Sequence, residues 1–136
     1  MPGPQVRRHV FNVLGSVELA VISLGRGVSM ILDLPGGFGI ECELPTSLRS
    51  AQPALNAIRN AYEHIEDRAL GTIHGTPSED ALTIFDYERL LRDDVITYGT
   101  HTLDLSDEVP QLLADAREAL KGMVKTAVPP KVTPGE

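Results

Sequence analysis

The sequence is poor in several residue types on which particular functions depend. Its 136 residues include one cysteine, Cys42, which excludes an internal disulfide framework and a multi-cysteine zinc site. Tryptophan is absent and aromatic residues make up 4%, which argues against stacking platforms for single-stranded nucleic acid. Acidic residues outnumber basic ones by 19 to 12, and the net charge of −7 excludes a surface built throughout for nucleic acid. This excess of acidic residues does not exclude a small local basic cleft.

The chain also lacks an uninterrupted hydrophobic run of membrane-spanning length. The most apolar stretch, 10–34, contains Glu18, Arg26 and Asp33, and each charge at the centre of a bilayer would cost on the order of 2.5–3.5 kcal/mol. No small-residue cleavage site follows a short apolar core, so the sequence does not indicate a secretory signal. The single thiol fits a reducing compartment. We therefore expect a cytoplasmic protein with no membrane association.

Length and composition predict one globular domain, which we place at 1–127. The apolar content of 42% is typical of a folded chain, and 136 residues fall in the size range of a single domain. The last stretch, 128–136, reads VPPKVTPGE. Its proline content predicts a disordered tail.

Apolar residues at helical spacing predict three long helices. The first covers the stretch 10–34, where glycines indicate either the close approach of another helix or a break near Gly25. The second carries an unbroken apolar seam that Gly71 ends, made of Leu48, Ala51, Leu55, Ile58, Tyr62, Ile65 and Ala69. The third begins with Ser106 as its N-cap and runs to Met123.

A small β insert is predicted before the last helix. The stretches 82–85 and 95–98 are rich in β-branched and aromatic residues and are interpreted as strands, and 100–105 offers a third. The stretch 87–91 fits a strand extension or a helical turn equally well. The predicted fold class is mainly α, a helical bundle with a small β-hairpin or meander, which a second copy of the chain could complete.

The second helix carries the candidate site residues Arg59, Asn60 and His64. At about 100° per residue, Asn60 and His64 lie roughly opposite the apolar seam and Arg59 lies on its flank. Asn60 and His64 are therefore expected to face water or a partner. An ordinary solvated face, with Arg59 and Glu63 as an i,i+4 ion pair, fits the same residues. A second arginine and histidine, Arg68 and His74, are separated by Gly71 and a predicted helix end, so we discount that pair.

The segment 57–68, AIRNAYEHIEDR, resembles the HEPN superfamily, a group of helical bundles common in toxin–antitoxin and RNA-processing systems. The hallmark of that family is an arginine and a histidine separated by four to six residues on one long helix, often with an asparagine after the arginine. Here four residues separate Arg59 from His64, and Asn60 follows the arginine. The order of a long helix, a motif helix and a final helix is also similar.

This resemblance implies a HEPN-like endoribonuclease of toxin–antitoxin or defence type that cleaves RNA without a metal ion, by attack of the ribose 2′-hydroxyl. His64 would move a proton, Arg59 would stabilise charge on the phosphate, and Asn60 would orient the phosphate or the imidazole. Sites of this family usually form where two motif helices meet, so the resemblance implies a homodimer through the second helix. RNA and an antitoxin protein are the implied partners, and no cofactor or metal is expected.

A different function fits the same fold. Glu63, Glu66 and Asp67 surround His64 with negative charge, which opposes the binding of phosphate. The alternative is therefore a non-catalytic dimeric helical module that binds a protein partner or a nucleotide. The two hypotheses differ in whether Arg59 and His64 converge on an open, positively charged cleft.

Overall fold

A computed structural model describes residues 3–127, so the predicted tail at 128–136 lies outside the described residues. This part of the chain is mainly helical, with two small antiparallel hairpins before the last helix, which confirms the predicted fold class. The helices are α1 (Pro4–Phe38), α2 (Thr46–Glu63), α3 (Ile65–Ala69), α4 (Tyr87–Asp93) and α5 (Glu108–Ala127). The first hairpin pairs β1 (Thr72–Ile73) with β2 (Thr76–Pro77), and the second pairs β3 (Val95–Tyr98) with β4 (His101–Asp104).

The first helix, α1, is continuous over 35 residues, and its glycine at position 25 marks a close approach rather than a break. A Cβ atom at Gly25 would lie 3.2 Å from Cδ of Arg59 and 3.4 Å from the carbonyl oxygen of Leu55, both on α2. A hydrogen bond of 3.1 Å from Ser29 Oγ to Asn56 Oδ1 joins the same two helices. The absence of a side chain at position 25 therefore lets α1 lie directly against α2.

The second helix buries the predicted apolar face but is interrupted near its end. Leu55 and Ile58 are fully buried against the rest of the core. At His64 the backbone leaves helical geometry, with φ −119° and ψ 39°, and the chain resumes as the short helix α3. The unbroken seam predicted through Ala69 is therefore wrong in its last turn. Ala69 is exposed and Arg68 takes the buried position.

The β insert differs from the prediction at its start. The stretch 82–85 lies in a 3₁₀ helix, Ala81–Phe85, because the Thr83 hydroxyl bonds back to the carbonyl oxygen of Asp80 at 2.5 Å and accepts the Gly99 N–H at 2.7 Å. The open alternative at 87–91 is resolved as helix α4. The predicted hairpin is formed by β3 and β4.

The start of the last helix differs from the predicted position. Helix α5 begins at Glu108, two residues after the predicted cap, because the Ser106 hydroxyl donates to Asp94 at 3.0 Å. The core is shared by α1, α2, α5 and the β3–β4 hairpin. Within 3–127, no helix combines the length and the apolar character needed to cross a membrane.

We expect the substitution Gly25→Val to separate α1 from α2. A branched side chain there meets the stem of Arg59 and the backbone of Leu55, so the free energy of unfolding should fall by about 1–3 kcal/mol. The matched control is Gly15→Val, since nothing lies within 4 Å of a Cβ at Gly15 and valine is the better helix former. Urea denaturation measures both. Equal stability of the two variants would contradict the close approach.

Candidate functional site

Arg59 is a shielded cation without a partner. Its stem packs over Gly25, and its Nε atom is buried with no hydrogen-bond partner. Within the described residues the two other shielded arginines have partners: Arg68 bonds to Asp67 and Tyr98, and Arg89 donates to Thr97. A buried N–H group without an acceptor is unfavourable. The Nη atoms of Arg59 are not buried and have no hydrogen-bond partner among the described residues, so an anion can reach them from solvent.

His64 lies where α2 ends. Its side chain is exposed, whereas Asn60 is half-buried, which agrees with the predicted orientation away from the seam. The backbone N–H of His64 donates to the Asn60 carbonyl at 3.0 Å, so the last hydrogen bond of the helix fixes its position. Within 3–127, no hydrogen bond joins the side chains of Arg59, Asn60 and His64. The structure thus places Arg59 and Asn60 on α2 and His64 just beyond its end, without linking their side chains.

The aromatic neighbour of His64 is His74, a residue that the sequence analysis discounted. The two ring centroids lie 6.0 Å apart, with an angle of 68° between the ring planes. His74 occupies the turn between β1 and β2, so this short hairpin returns the chain to the end of α2. The pair Arg68 and His74 is discounted in the sequence analysis because a helix end at Gly71 separates them. That helix end is what lets the chain turn back and bring His74 beside His64. In the sequence, the polar, glycine-containing stretch after Gly71 is what could have predicted this turn.

The carboxylate of Asp67 holds the turn that carries His74. Its Oδ2 accepts the backbone N–H of His74 at 2.7 Å, and its Oδ1 accepts the N–H of Gly75 at 3.2 Å. The Thr72 hydroxyl lies 2.5 Å from Oδ1. These contacts hold the pKa of Asp67 below its ordinary value. The hydrogen bond from Thr72 contributes most, followed by those from the two backbone N–H groups and by the charge of Arg68.

Arg68 connects this turn to the second hairpin. It is fully buried, its Nη1 donates to Oδ2 of Asp67 at 2.6 Å, and its Nε donates to the hydroxyl of Tyr98 at 2.8 Å. Its guanidinium carbon also lies 5.9 Å from the centroid of the Tyr98 ring. Arg68 is therefore a structural residue that links α3 to β3, and this explains why it replaces an apolar residue in the seam.

Two of the three carboxylates around His64 are neutralised. Glu63 pairs with Arg26 of α1 at 2.8 Å, and not with Arg59 as the i,i+4 spacing predicted. Asp67 pairs with Arg68. Glu66 is exposed on α3 without an ion-pair partner among the described residues. The negative charge that opposes phosphate binding is therefore smaller than the sequence indicated.

The described residues contain no group of three or more His, Cys, Asp or Glu side chains placed to hold a metal ion. Comparisons with protein-family models, with curated proteins and with solved structures returned no match for this chain. The relation to the HEPN superfamily therefore remains a hypothesis based on residues 57–68.

We expect Arg68→Met to destabilise the fold strongly. Methionine fills part of the buried volume but leaves Tyr98 and Asp67 without their cation, and the loss of one partner of a buried pair should lower the free energy of unfolding by about 3 kcal/mol. Arg92→Met is the control, because Arg92 pairs only with exposed carboxylates on α4. If urea denaturation gave the two variants similar stabilities, Arg68 would not be the link described above.

The pH dependence of stability should report the Asp67 contacts. Because the pKa of Asp67 is lowered on folding, its carboxylate stabilises the fold above about pH 4, and this stabilisation is lost as the pH falls through the folded-state pKa. The stability difference between the wild type and Asp67→Asn should therefore be largest near neutral pH and shrink below about pH 4. Urea denaturation across this range measures the difference, with Asp93→Asn as an exposed control. A difference independent of pH would refute the assignment.

Proposed function

We propose that this chain is a HEPN-like endoribonuclease of toxin–antitoxin or defence type that cleaves RNA without a metal ion. The main support is Arg59, a half-buried residue of α2 with no hydrogen-bond partner among the described residues, together with the exposed imidazole of His64, which directly follows the last residue of that helix. The planar fork of a guanidinium matches the oxygens of a phosphate. An imidazole is the side chain best suited to move protons near neutral pH. Together they supply charge stabilisation and proton transfer, two of the contributions that transesterification of RNA requires.

In the proposed reaction, the 2′-hydroxyl loses its proton to an imidazole and its oxygen attacks phosphorus. The bond from phosphorus to the 5′-oxygen then breaks, and the leaving oxygen takes up a proton. The products are a 2′,3′-cyclic phosphate and a 5′-hydroxyl. Arg59 stabilises the charge on the non-bridging oxygens, and Asn60 orients the phosphate or the imidazole through its amide.

The ion pairs around His64 favour this function, although the net charge of the chain is −7. Arg26 neutralises Glu63 and Arg68 neutralises Asp67, so two of the three carboxylates near His64 in sequence are already engaged, whereas Glu66 is not. Anions approaching a site respond to the local potential more strongly than to the formal charge of the whole chain.

We also propose that two copies meet through α2, so that Arg59 and His64 of both chains line one cleft. The contact would be polar, because no large apolar side chain of α2 is exposed. An antitoxin protein would then act by covering this cleft. The non-catalytic module that binds a protein partner or a nucleotide is the function to adopt if catalysis is absent.

Cleavage of RNA by the purified protein in EDTA tests the proposal. We expect the wild type to leave cyclic phosphate ends, and His64→Ala to lower the rate by about 10²–10⁴-fold because a general acid or base is lost. Arg59→Met keeps the apolar stem over Gly25 but removes the charge, and should also lower the rate.

The controls are His9→Ala and Arg117→Met, which change exposed residues on α1 and α5, away from the proposed contact through α2. Light scattering establishes whether all variants share one oligomeric state. If the folded wild type, free of any partner, cleaves none of several unrelated RNAs, the ribonuclease is refuted and the binding module is favoured.

A further inference from the structure

We propose that His74 is the second acid–base group of this site, so that the His64 and His74 imidazoles of one chain act on opposite oxygens of the same phosphodiester. This inference rests on the proposed ribonuclease function. It adds a residue outside the Arg59 to His64 segment. It also completes the proton-transfer machinery within a single chain.

The distance between the two rings suits this division of work. In-line displacement puts the entering 2′-oxygen and the leaving 5′-oxygen on opposite sides of the phosphorus atom. Two imidazoles with centroids 6.0 Å apart can each bring a nitrogen within hydrogen-bond reach of one of these oxygens. Both side chains are exposed, so an RNA strand can approach them from solvent.

The backbone at His74 lies in a region that few side chains adopt. His74 has φ 52° and Gly75 has φ 78°, so both residues of this two-residue hairpin loop are in the left-handed region. Such turns are most often built from Asn-Gly, since asparagine tolerates this region better than most other side chains. Histidine is another side chain that is enriched in this region, so the turn can present an imidazole beside His64.

The turn is held firmly enough to fix a catalytic group. Asp67 accepts the N–H groups of His74 and Gly75, and Arg68 fixes Asp67 from the buried side. Arg68 is tied in turn to Tyr98 on β3. The position of His74 over His64 therefore depends on a chain of hydrogen bonds that ends in the core, as precise placement of a catalytic side chain requires.

In the proposed step, one of the two imidazoles takes the proton of the 2′-hydroxyl while the other, as imidazolium, gives a proton to the leaving 5′-oxygen. The new bond joins the 2′-oxygen to phosphorus, and the broken bond joins phosphorus to the 5′-oxygen. One proton is gained and one is lost by the protein, so no other reactant is needed.

A change of leaving group separates the acid from the base. The bond that the wild type cuts in a mixed-sequence RNA is identified first, and the same RNA is then made with sulfur in place of the bridging 5′-oxygen of that bond. A thiolate leaves without protonation, so loss of the acid no longer matters on the sulfur substrate, whereas loss of the base still does. The variants are His64→Asn and His74→Asn, with His9→Asn as the control.

On ordinary RNA we expect both His64→Asn and His74→Asn to be slower than the wild type by about 10²–10⁴-fold. On the sulfur substrate, one of the two variants should return to within about tenfold of the wild-type rate, and the other should stay slow. Asparagine suits the left-handed turn, so His74→Asn should keep the thermal stability of the wild type. This stability is measured alongside the rates.

The remaining outcomes overturn the proposal in distinguishable ways. If His64→Asn is inactive and His74→Asn cleaves ordinary RNA like the wild type, the ribonuclease stands and the role of His74 is refuted. If both variants are slow and sulfur rescues neither or both, the two imidazoles do not divide the roles of acid and base. If the wild type itself does not cleave, the ribonuclease is refuted and the assignment of His74 is refuted with it.

Discussion

The burial of one cation organises the end of the chain that carries the candidate site. Arg68 has no access to water, so its guanidinium must find acceptors inside the fold, and it finds them in Asp67 and the Tyr98 hydroxyl. The bond to Tyr98 joins α3 to β3, the bond to Asp67 lies within α3, and the remaining acceptor capacity of Asp67 closes the turn at His74. The hairpin β1–β2 has only two residues in each strand. Its position therefore depends on the Asp67 carboxylate more than on its own ladder.

The opposite side of the candidate site depends on α1. Because position 25 has no side chain, α1 approaches close enough to shield the stem of Arg59, and the neighbouring Arg26 reaches Glu63 across the same contact. One close approach thus has two effects. It buries the Nε atom of a cation that lacks a partner, and it neutralises a carboxylate that would otherwise compete with a phosphate for that cation.

The sequence predicted what depends on periodicity and missed what depends on contacts between distant residues. The long helices, the buried face of α2 and the β3–β4 hairpin follow from the spacing of apolar residues and from local preferences. The 3₁₀ helix Ala81–Phe85 does not follow from local preferences, since its composition is that of a strand. The Thr83 hydroxyl accepts a hydrogen bond from the N–H of Gly99, which is 16 residues away. Likewise, the partner of Glu63 lies 37 residues away in the chain, and local spacing pointed to Arg59 instead.

The position of His74 has a consequence for the role of a second chain. A composite site is needed when one helix cannot bring all the reacting groups together, and the resemblance to the HEPN superfamily implied such a site. In the proposed site, with His74 beside His64, the acid and the base come from the same chain, and a second copy would add positive charge and a wall that excludes water. Proton transfer would then depend on the Arg68–Asp67 contacts within each chain, whereas the dimer contact would govern how tightly the RNA backbone is held.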